Sequence, residues 1–404
     1  MKVLSIIAQK PSSTGSGVYL TELVKCFKDF GASQEIICGV YNEDKIDDEE
    51  GIKFNKVIFN TEELPIKIAG MSDVMPYESI KYSDFIDDDN KLNYWVNAFR
   101  KKVTDTLVTF CPDLIICHHL YLLTAHVVNI VEKLKSEKII SNCKIYGICH
   151  NTDLRQFRQT DLEREFIKEN IKKLDMVFAP SDDHASIAKE IFNLDANKIK
   201  IIGIGYNDKI FYNKNENREK NNIIYVGKVA YKKGVMCLVR AINLLNNDSI
   251  VLDIVGGAGD KQEYDSILTE SKKSKSTIRF LGQKSQMELA DLYNKHNIFI
   301  LPSFSEGIPI VPLEALACGC KVIISDLPGV RDFLDKNVKG ASISYVTLPE
   351  LSNVDEAKQD ELSQYEERLA VAIKKCLDDY SSYSPSLSNV SWINIAKSIY
   401  YNVS

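Results

Sequence analysis

A chain of 404 residues, 45% hydrophobic and 26% charged with net charge −6, has the make-up of a soluble globular protein long enough for two domains, each with its own core. The acidic excess lies mostly in the first half and argues against nucleic acid, whose binding rests on phosphate neutralisation, and against stable docking on an anionic membrane. Ten cysteines without a CxxC pair resemble neither a disulfide framework nor a zinc site, and the apolar setting of Cys38, Cys117 and Cys149 reads as buried thiols of a reducing, cytoplasmic compartment.

The first apolar run, 3–8, has strand length and is bounded by Lys2 and Lys10, which is too short for a signal-peptide core. No window reaches the apolar length of a membrane span. The turn that follows contains Gly15, Ser16 and Gly17 ahead of a helix over 18–30. A Gly-x-Gly pair invites a dinucleotide reading, but Leu20 stands at the third glycine position and no acid follows the second strand (35–40) before Glu43 and Asp44. A plain tight turn is the alternative. After a strand over 56–59, residues 60–92 carry Pro65, Gly70, Pro76 and an acidic run, and read as a long loop-like insertion. Within it Asp87-Asp88-Asp89 satisfies a D-x-D metal pattern, yet outside any strand end a solvated acidic loop is expected.

A helix over 93–110 leads to a strand over 114–117 that ends in His118 and His119. The strand over 144–149 ends in His150, with Asp153 and Arg155 close behind. Histidines at the carboxyl ends of parallel strands can donate to or accept from a hydroxyl or phosphate near neutral pH, whereas a lone histidine is as a rule structural. Residues 161–173 interleave acid and base as a salt-bridged solvent face does. Strands over 176–179 and 200–204 complete the first half, and the polar stretch 212–222 reads as a linker.

In the second half a strand over 223–226 ends in Gly227-Lys228, and Lys232-Lys233-Gly234 precedes a helix over 235–245. Two cations near a helix N-terminus can neutralise a diphosphate, although a surface loop explains them equally. The next strands, 251–255 and 278–281, end in Gly256-Gly257-Ala258-Gly259 and in Gly282-Gln283-Lys284. The strand over 298–301 opens into Ser305–Gly319, SEGIPIVPLEALACG. Here Glu306 lies on a loop at the strand's carboxyl end, Pro312 starts a helix and Glu314 sits about one turn into it. Backbone N–H groups of Gly307, Ile308, Ile310 and Val311 around Pro309 make a seat for a diphosphate, and the two carboxylates can accept from sugar and ribose hydroxyls. The alternative is one first-turn glutamate and one solvated loop glutamate. A terminal helix spans 391–403 with Trp392. Repeated β-α units of this kind mean parallel sheets with helices on both faces, whose ligands lie at the carboxyl ends of the strands.

The succession GKVAYKKG, VGGAG, FLG and SEGIPIVPLEALACG resembles the donor domain of glycosyltransferase family 4, and nearly the whole chain is similar to that family. The resemblance implies an α/β, GT-B architecture of two facing Rossmann-like doubly wound domains, with a C-terminal helix returning to the first. Residues 1–206 would bind the acceptor, 207–385 the nucleotide-sugar donor, and 386–404 would form the returning helix. It implies transfer of a sugar from an NDP-sugar, UDP foremost, to a hydroxyl acceptor on a small molecule, a glycan or a lipid-linked glycan, with the anomeric configuration retained. No cofactor and no metal would be needed, the donor being a substrate. His150, Lys228, Lys233 and Glu306 would be catalytic, with Lys228 standing where arginine is usual. Gly15, Ser16, Gly17, Gly227, Gly256, Gly282, Gln283, Lys284, Gly307, Ile308, Pro309, Ile310, Val311 and Glu314 would line the donor, and His118, His119, Asp153 and Arg155 the acceptor. The segment 203–207 stands where the family has an N-G-x-D turn, with Gly203 and Asn207 departing from it. A sugar-nucleotide epimerase or phosphorylase on the same fold is the nearest alternative. A nicotinamide oxidoreductase lacks its glycine fingerprint here, and a two-domain solute-binding protein lacks an export signal.

Overall fold

The short apolar runs become strands, and all pairings in the two main sheets are parallel, in a computed structural model that describes residues 1–72, 75–353 and 355–403. The first sheet has seven strands in the order Ile52–Phe59, Ser33–Tyr41, Lys2–Ile7, Leu114–His118, Lys144–Ile148, Met176–Ala179 and Ile199–Ile201. The second has six, in the order Thr277–Gly282, Val251–Val255, Glu219–Val226, His296–Leu301, Lys321–Ser325 and Ile343–Val346. In both, the strand order reverses direction beside the first strand. A crevice therefore opens at the carboxyl ends of Lys2–Ile7 and Leu114–His118 in one sheet, and of Glu219–Val226 and His296–Leu301 in the other.

Successive side chains of a strand point to opposite faces, so buried neighbours such as Ile36 and Ile37, or Ile323 and Ile324, mean that both faces are covered. Each isoleucine so buried contributes about 1.5–3 kcal/mol relative to exposure. The chain divides into two units, Met1–Gly203 with the segment from Trp392 onward, and Ile204–Ser391. The boundaries thus lie three residues before 206/207 and six residues after 385/386. Residues 386–391 stay with the second unit because Leu387 and Val390 are buried in its core and the Tyr206 N–H donates to Val390 O at 3.0 Å. The returning helix is Trp392–Tyr400. It lies along the helix Gly15–Asp29, with Trp392 against Tyr19 and Tyr400 against Phe27. Both pairs are about two turns apart on their helices.

Two expectations need correction. The stretch 212–222 is not a linker between the units. Its last four residues open the strand Glu219–Val226, and Arg218 donates to the carbonyls of Tyr293, His296 and Cys318, fastening the rest to the second unit. Residues 60–92, of which 73 and 74 lie outside the described residues, are more than a loop. Leu64, Ile66, Ile68, Tyr82 and Phe85 are buried in the first core, and Ala69–Gly70 pairs with Ile80–Lys81. The D-x-D run has a local role: Asp88 accepts from the Lys91 N–H at 3.1 Å and caps the helix Asp89–Phe110. Among the described residues no helix is long and apolar enough to cross a membrane.

Candidate functional site

In the second unit the crevice is built from glycine-bearing strand ends. The Gly227 N–H donates to Val255 O, the Val229 N–H to Gly257 O and the Gly256 N–H to Gly282 O, so three strand-end loops run side by side past their strands. Gly256 must be glycine: its φ is +145° and a Cβ there would overlap the Gly227 carbonyl. The Gly282 position faces open space, as a surface for a ligand requires. Gln283 and Lys284 follow it on the exposed side, with Lys284 paired to Glu288 at 3.3 Å.

The lysines after the first strand of this sheet lie near one another and near Glu306. Lys233 Nζ lies 2.8 Å from Glu306 Oε1, and the two side chains keep only 24% and 16% of their exposure. This contact joins the loop after the first strand to the loop after the fourth, and the Phe304 N–H donating to Lys232 O at 3.1 Å reinforces it. Lys232 itself pairs with Asp355 at 3.2 Å. Lys228 is held by its backbone, whose carbonyl accepts from the Tyr225 hydroxyl at 2.7 Å. Desolvation, and then the nearby Lys232 and Lys233 cations, push the Lys228 ammonium below its ordinary pKa. Glu314 lies in the first turn of the helix Val311–Ala317 and is 7% exposed. Gly307, Ile308, Pro309 and Ile310 form the approach to that helix, and by position the Ile310 and Val311 N–H groups have no carbonyl one turn upstream within it. A cavity of about 240 Å³ in this unit is lined by none of these residues. Its walls include Tyr206, Asp208, Tyr212 and Tyr383.

In the first unit Thr14 caps the helix Gly15–Asp29, accepting from the Gly17 N–H at 3.2 Å. A Cβ on Gly17 would meet Lys10 O at 2.6 Å, whereas Gly15 faces open space. Across the crevice three imidazoles meet. His118 Nδ1 and His150 Nε2 are 3.0 Å apart, one donating and the other accepting, and the His119 and His150 ring centroids are 4.8 Å apart. Burial pushes His118 and His119 down to about 3, and burial together with the neighbouring imidazoles pushes His150 well below its ordinary value. The cluster is therefore neutral at physiological pH. His119 and Asn151 both adopt positive φ, +72° and +67°, so the two histidine-bearing turns are tightly bent.

Asp153 corrects an expectation. It does not reach outward to an acceptor. It is fully buried, and its carboxylate accepts from the N–H groups of Leu120 at 2.7 Å, His150 at 3.2 Å and Leu154 at 3.1 Å. It pins both histidine turns to one another. Arg155 lies on the exposed side of the short helix Thr152–Gln159.

Sequence reasoning missed Tyr19, whose ring packs edge-on against His118, His150 and Trp392. Helical periodicity marks it as a core position without revealing its neighbours. It also missed a buried network in the second unit. Asp253 accepts two bonds from Arg279, at 2.6 and 2.7 Å, and lies 3.0 Å from His296 Nε2.

Residues 207–350 match the family model described as glycosyl transferases group 1. An uncharacterized glycosyltransferase of Methanocaldococcus jannaschii is 29% identical over 223 residues, 51% of this chain and 54% of its own length. The chain spans about half the length of the curated relatives it matches. A sucrose-phosphate synthase from Thermosynechococcus elongatus superposes with a TM-score of 0.64 at 17% identity, covering 100% of this chain and 98% of that one. An Anabaena protein solved in complex with UDP and glucose gives 0.59 at 14% identity, covering 100% and 95%. At such identities the likeness is one of fold, two Rossmann-like units as in the GT-B proteins.

Proposed function

We propose, from the match of residues 207–350 to the glycosyl transferases group 1 model, that this chain transfers a sugar from an NDP-sugar to a hydroxyl acceptor with retention of anomeric configuration. The observation that carries the reading is the Lys233–Glu306 pair at the switch-point crevice of the second sheet, with Lys228 beside it. An ammonium has three donors, so Lys233 can keep Glu306 and still donate to a diphosphate. Lys228 and Lys233 would stabilise the charge that develops on the departing diphosphate, in the role a metal ion fills elsewhere. Glu306, fixed by Lys233, would accept from hydroxyls of the transferred sugar, and Glu314 from the ribose. In the first unit the neutral His150 would orient the acceptor hydroxyl. Retention without a protein nucleophile fits attack from the face of the leaving group, the departing phosphate oxygen taking the acceptor proton. No cofactor enters this scheme.

UDP is the nucleotide we favour; of the neighbours in fold, the Anabaena protein is a complex with UDP and glucose and a starch synthase from Arabidopsis thaliana is a complex with ADP. The acceptor would be a hydroxyl of a small molecule, a glycan or a lipid-linked glycan. A cytoplasmic setting accords with free cysteines, most of them buried.

The test is calorimetric titration with UDP, GDP, ADP and NAD without divalent metal. Saturable binding of one nucleoside diphosphate, lost in Glu314→Ala and weakened in Lys233→Met, is the expected result. Binding of NAD alone would return the oxidoreductase reading. Isomerisation of the donor without acceptor, or transfer to inorganic phosphate, would indicate an epimerase or phosphorylase. An inverted product anomer by NMR would end the retaining mechanism.

A further inference from the structure

Tyr19 occupies an unusual position in the first unit. It is 3% exposed, and its hydroxyl has no hydrogen-bond partner among the described residues. Leaving a buried hydroxyl unpaired destabilises the fold, so the hydroxyl does not account for the residue's place there. The ring does. Its centroid lies 5.2 Å from that of His150 at an interplanar angle of 87°, 6.1 Å from His118 at 71°, and 4.7 Å from Trp392 at 81°. One aromatic ring thus stands edge-on to both members of the hydrogen-bonded histidine pair and is backed by the first residue of the returning helix.

An imidazole can rotate about its ring bond and exchange tautomers, and a single 3.0 Å contact to a second, equally neutral imidazole does not fix either. Asp153 fixes the backbone turn at His150 and leaves its ring free to turn. The His119 ring also touches His150, at 4.8 Å and tilted by 54°. The His118 ring lies nearly parallel to that of His150, 5.2 Å away at 16°, and the Tyr19 edge, held in turn by Trp392, packs against both rings and keeps them in that common orientation.

We propose that Tyr19, backed by Trp392 of the returning helix, is a positioning residue that holds the His150 imidazole in the plane where Nε2 meets His118 Nδ1 and the Nδ1 edge stays available to the acceptor. The inference rests on the reading of His150 as an acceptor-orienting group. The C-terminal helix then serves the chemistry through the Trp392–Tyr19 contact. The aromatic ring is required and the hydroxyl is dispensable.

The experiment compares Tyr19→Phe, Tyr19→Leu and Trp392→Leu in the full chain, with two readouts. The first is the ¹⁵N pattern of the His118 and His150 rings by NMR at pH 7.5. Wild type and Tyr19→Phe should each show a single tautomer for both histidines, while Tyr19→Leu and Trp392→Leu should show exchange-averaged signals. The second is steady-state transfer, where Tyr19→Leu and Trp392→Leu should lose roughly 10- to 100-fold in kcat, with Tyr19→Phe near wild type and nucleoside diphosphate affinity unchanged in all three. Equal and single-tautomer histidine signals in all four proteins would overturn the proposal, as would loss of kcat in Tyr19→Phe equal to that in Tyr19→Leu. The NMR readout does not depend on activity. A chain with no transferase activity but with the predicted histidine pattern would refute the functional reading and leave the positioning role standing.

Discussion

Gly234 is where the fold and the proposed donor site are most tightly joined, and replacing it with alanine tests both. The residue has φ +67° and caps the helix Val235–Leu245. A Cβ at this position would overlap the Pro302 carbonyl oxygen and lie 2.8 Å from the carbonyl carbon. The left-handed backbone alone costs an alanine roughly 1–2 kcal/mol. Relieving the overlap means moving a strand end whose carbonyl also accepts from the buried Tyr365 hydroxyl at 3.0 Å, a forced repacking of about 1–3 kcal/mol. The sum is about 2–5 kcal/mol. For a unit of this size that lowers the melting midpoint by roughly 4–20 °C. Pro302 leads into the loop that carries Glu306, and Gly234 follows Lys233, so the same shift should separate their 2.8 Å ion pair and weaken nucleoside diphosphate binding at least tenfold. Differential scanning calorimetry and titration with UDP on Gly234→Ala measure the two effects. Gly15→Ala, where the added methyl meets no atom within 4 Å and φ is not positive, is the control for the melting measurement alone. A Gly234→Ala melting point within about a degree of wild type, where at least 4 °C is expected, would refute the packing argument.

Three further outcomes follow from buried polar groups. His118 and His119 have folded-state pKa values near 3, below the ordinary 6.5, so the unfolded chain binds more protons between these limits. Stability is then complete above pH 6.5 and is lost as pH falls toward 3, at pH 5 by about 2 kcal/mol for each histidine. Urea unfolding of His119→Gln at pH 7.5 and pH 5 should show an acid loss smaller than wild type by about that amount. Asp253→Ala strips the nearly inaccessible His296 of its carboxylate and should cost about 3 kcal/mol in the second unit's thermal transition. Arg279→Ala leaves the inaccessible Asp253 carboxylate without the two bonds it accepts from the guanidinium and should cost about 1–3 kcal/mol, with water reaching in from the half-exposed arginine side. Asp153→Asn turns an amide N–H toward backbone donors, and should lose about 2–3 kcal/mol of stability and most of the transfer rate while leaving nucleotide affinity intact.

Much of the site was readable because parallel strands announce their own carboxyl ends. Apolar runs ending in His118, His150, Gly227-Lys228 and Ser303–Glu306 placed these residues at strand carboxyl ends, and the sheet orders set those strands at or next to the switch points. Contacts made across long sequence separations were not readable. Nothing local to Lys233 names Glu306 as its partner, and nothing local to Tyr19 names His150 or Trp392. Asp153 was misjudged because a carboxylate three residues beyond a strand-end histidine looks the same whether it faces solvent or gathers backbone donors. The polar residues of Glu219–Asn222 concealed the opening of a strand, since main-chain pairing with Val251 and His296 does not need apolar side chains. The insertion over 60–92 was read from its prolines and acids, whereas its isolated apolar residues, Ile66, Ile68, Tyr82 and Phe85, decide where it packs.

The chain leaves the first unit after Gly203 and regains it at Trp392, and this has a consequence for how the protein is made. The helix that closes the first unit emerges from the ribosome only after the whole second unit, and at ~5–20 residues per second the ~190 intervening residues take roughly 10–40 s. Throughout that interval Tyr19, Phe27 and Phe30 lack the aromatic cover that Trp392 and Tyr400 later supply. The nascent first unit therefore waits with an open greasy seam, while the second, continuous in sequence from Ile204 to Ser391, is free to fold ahead of it.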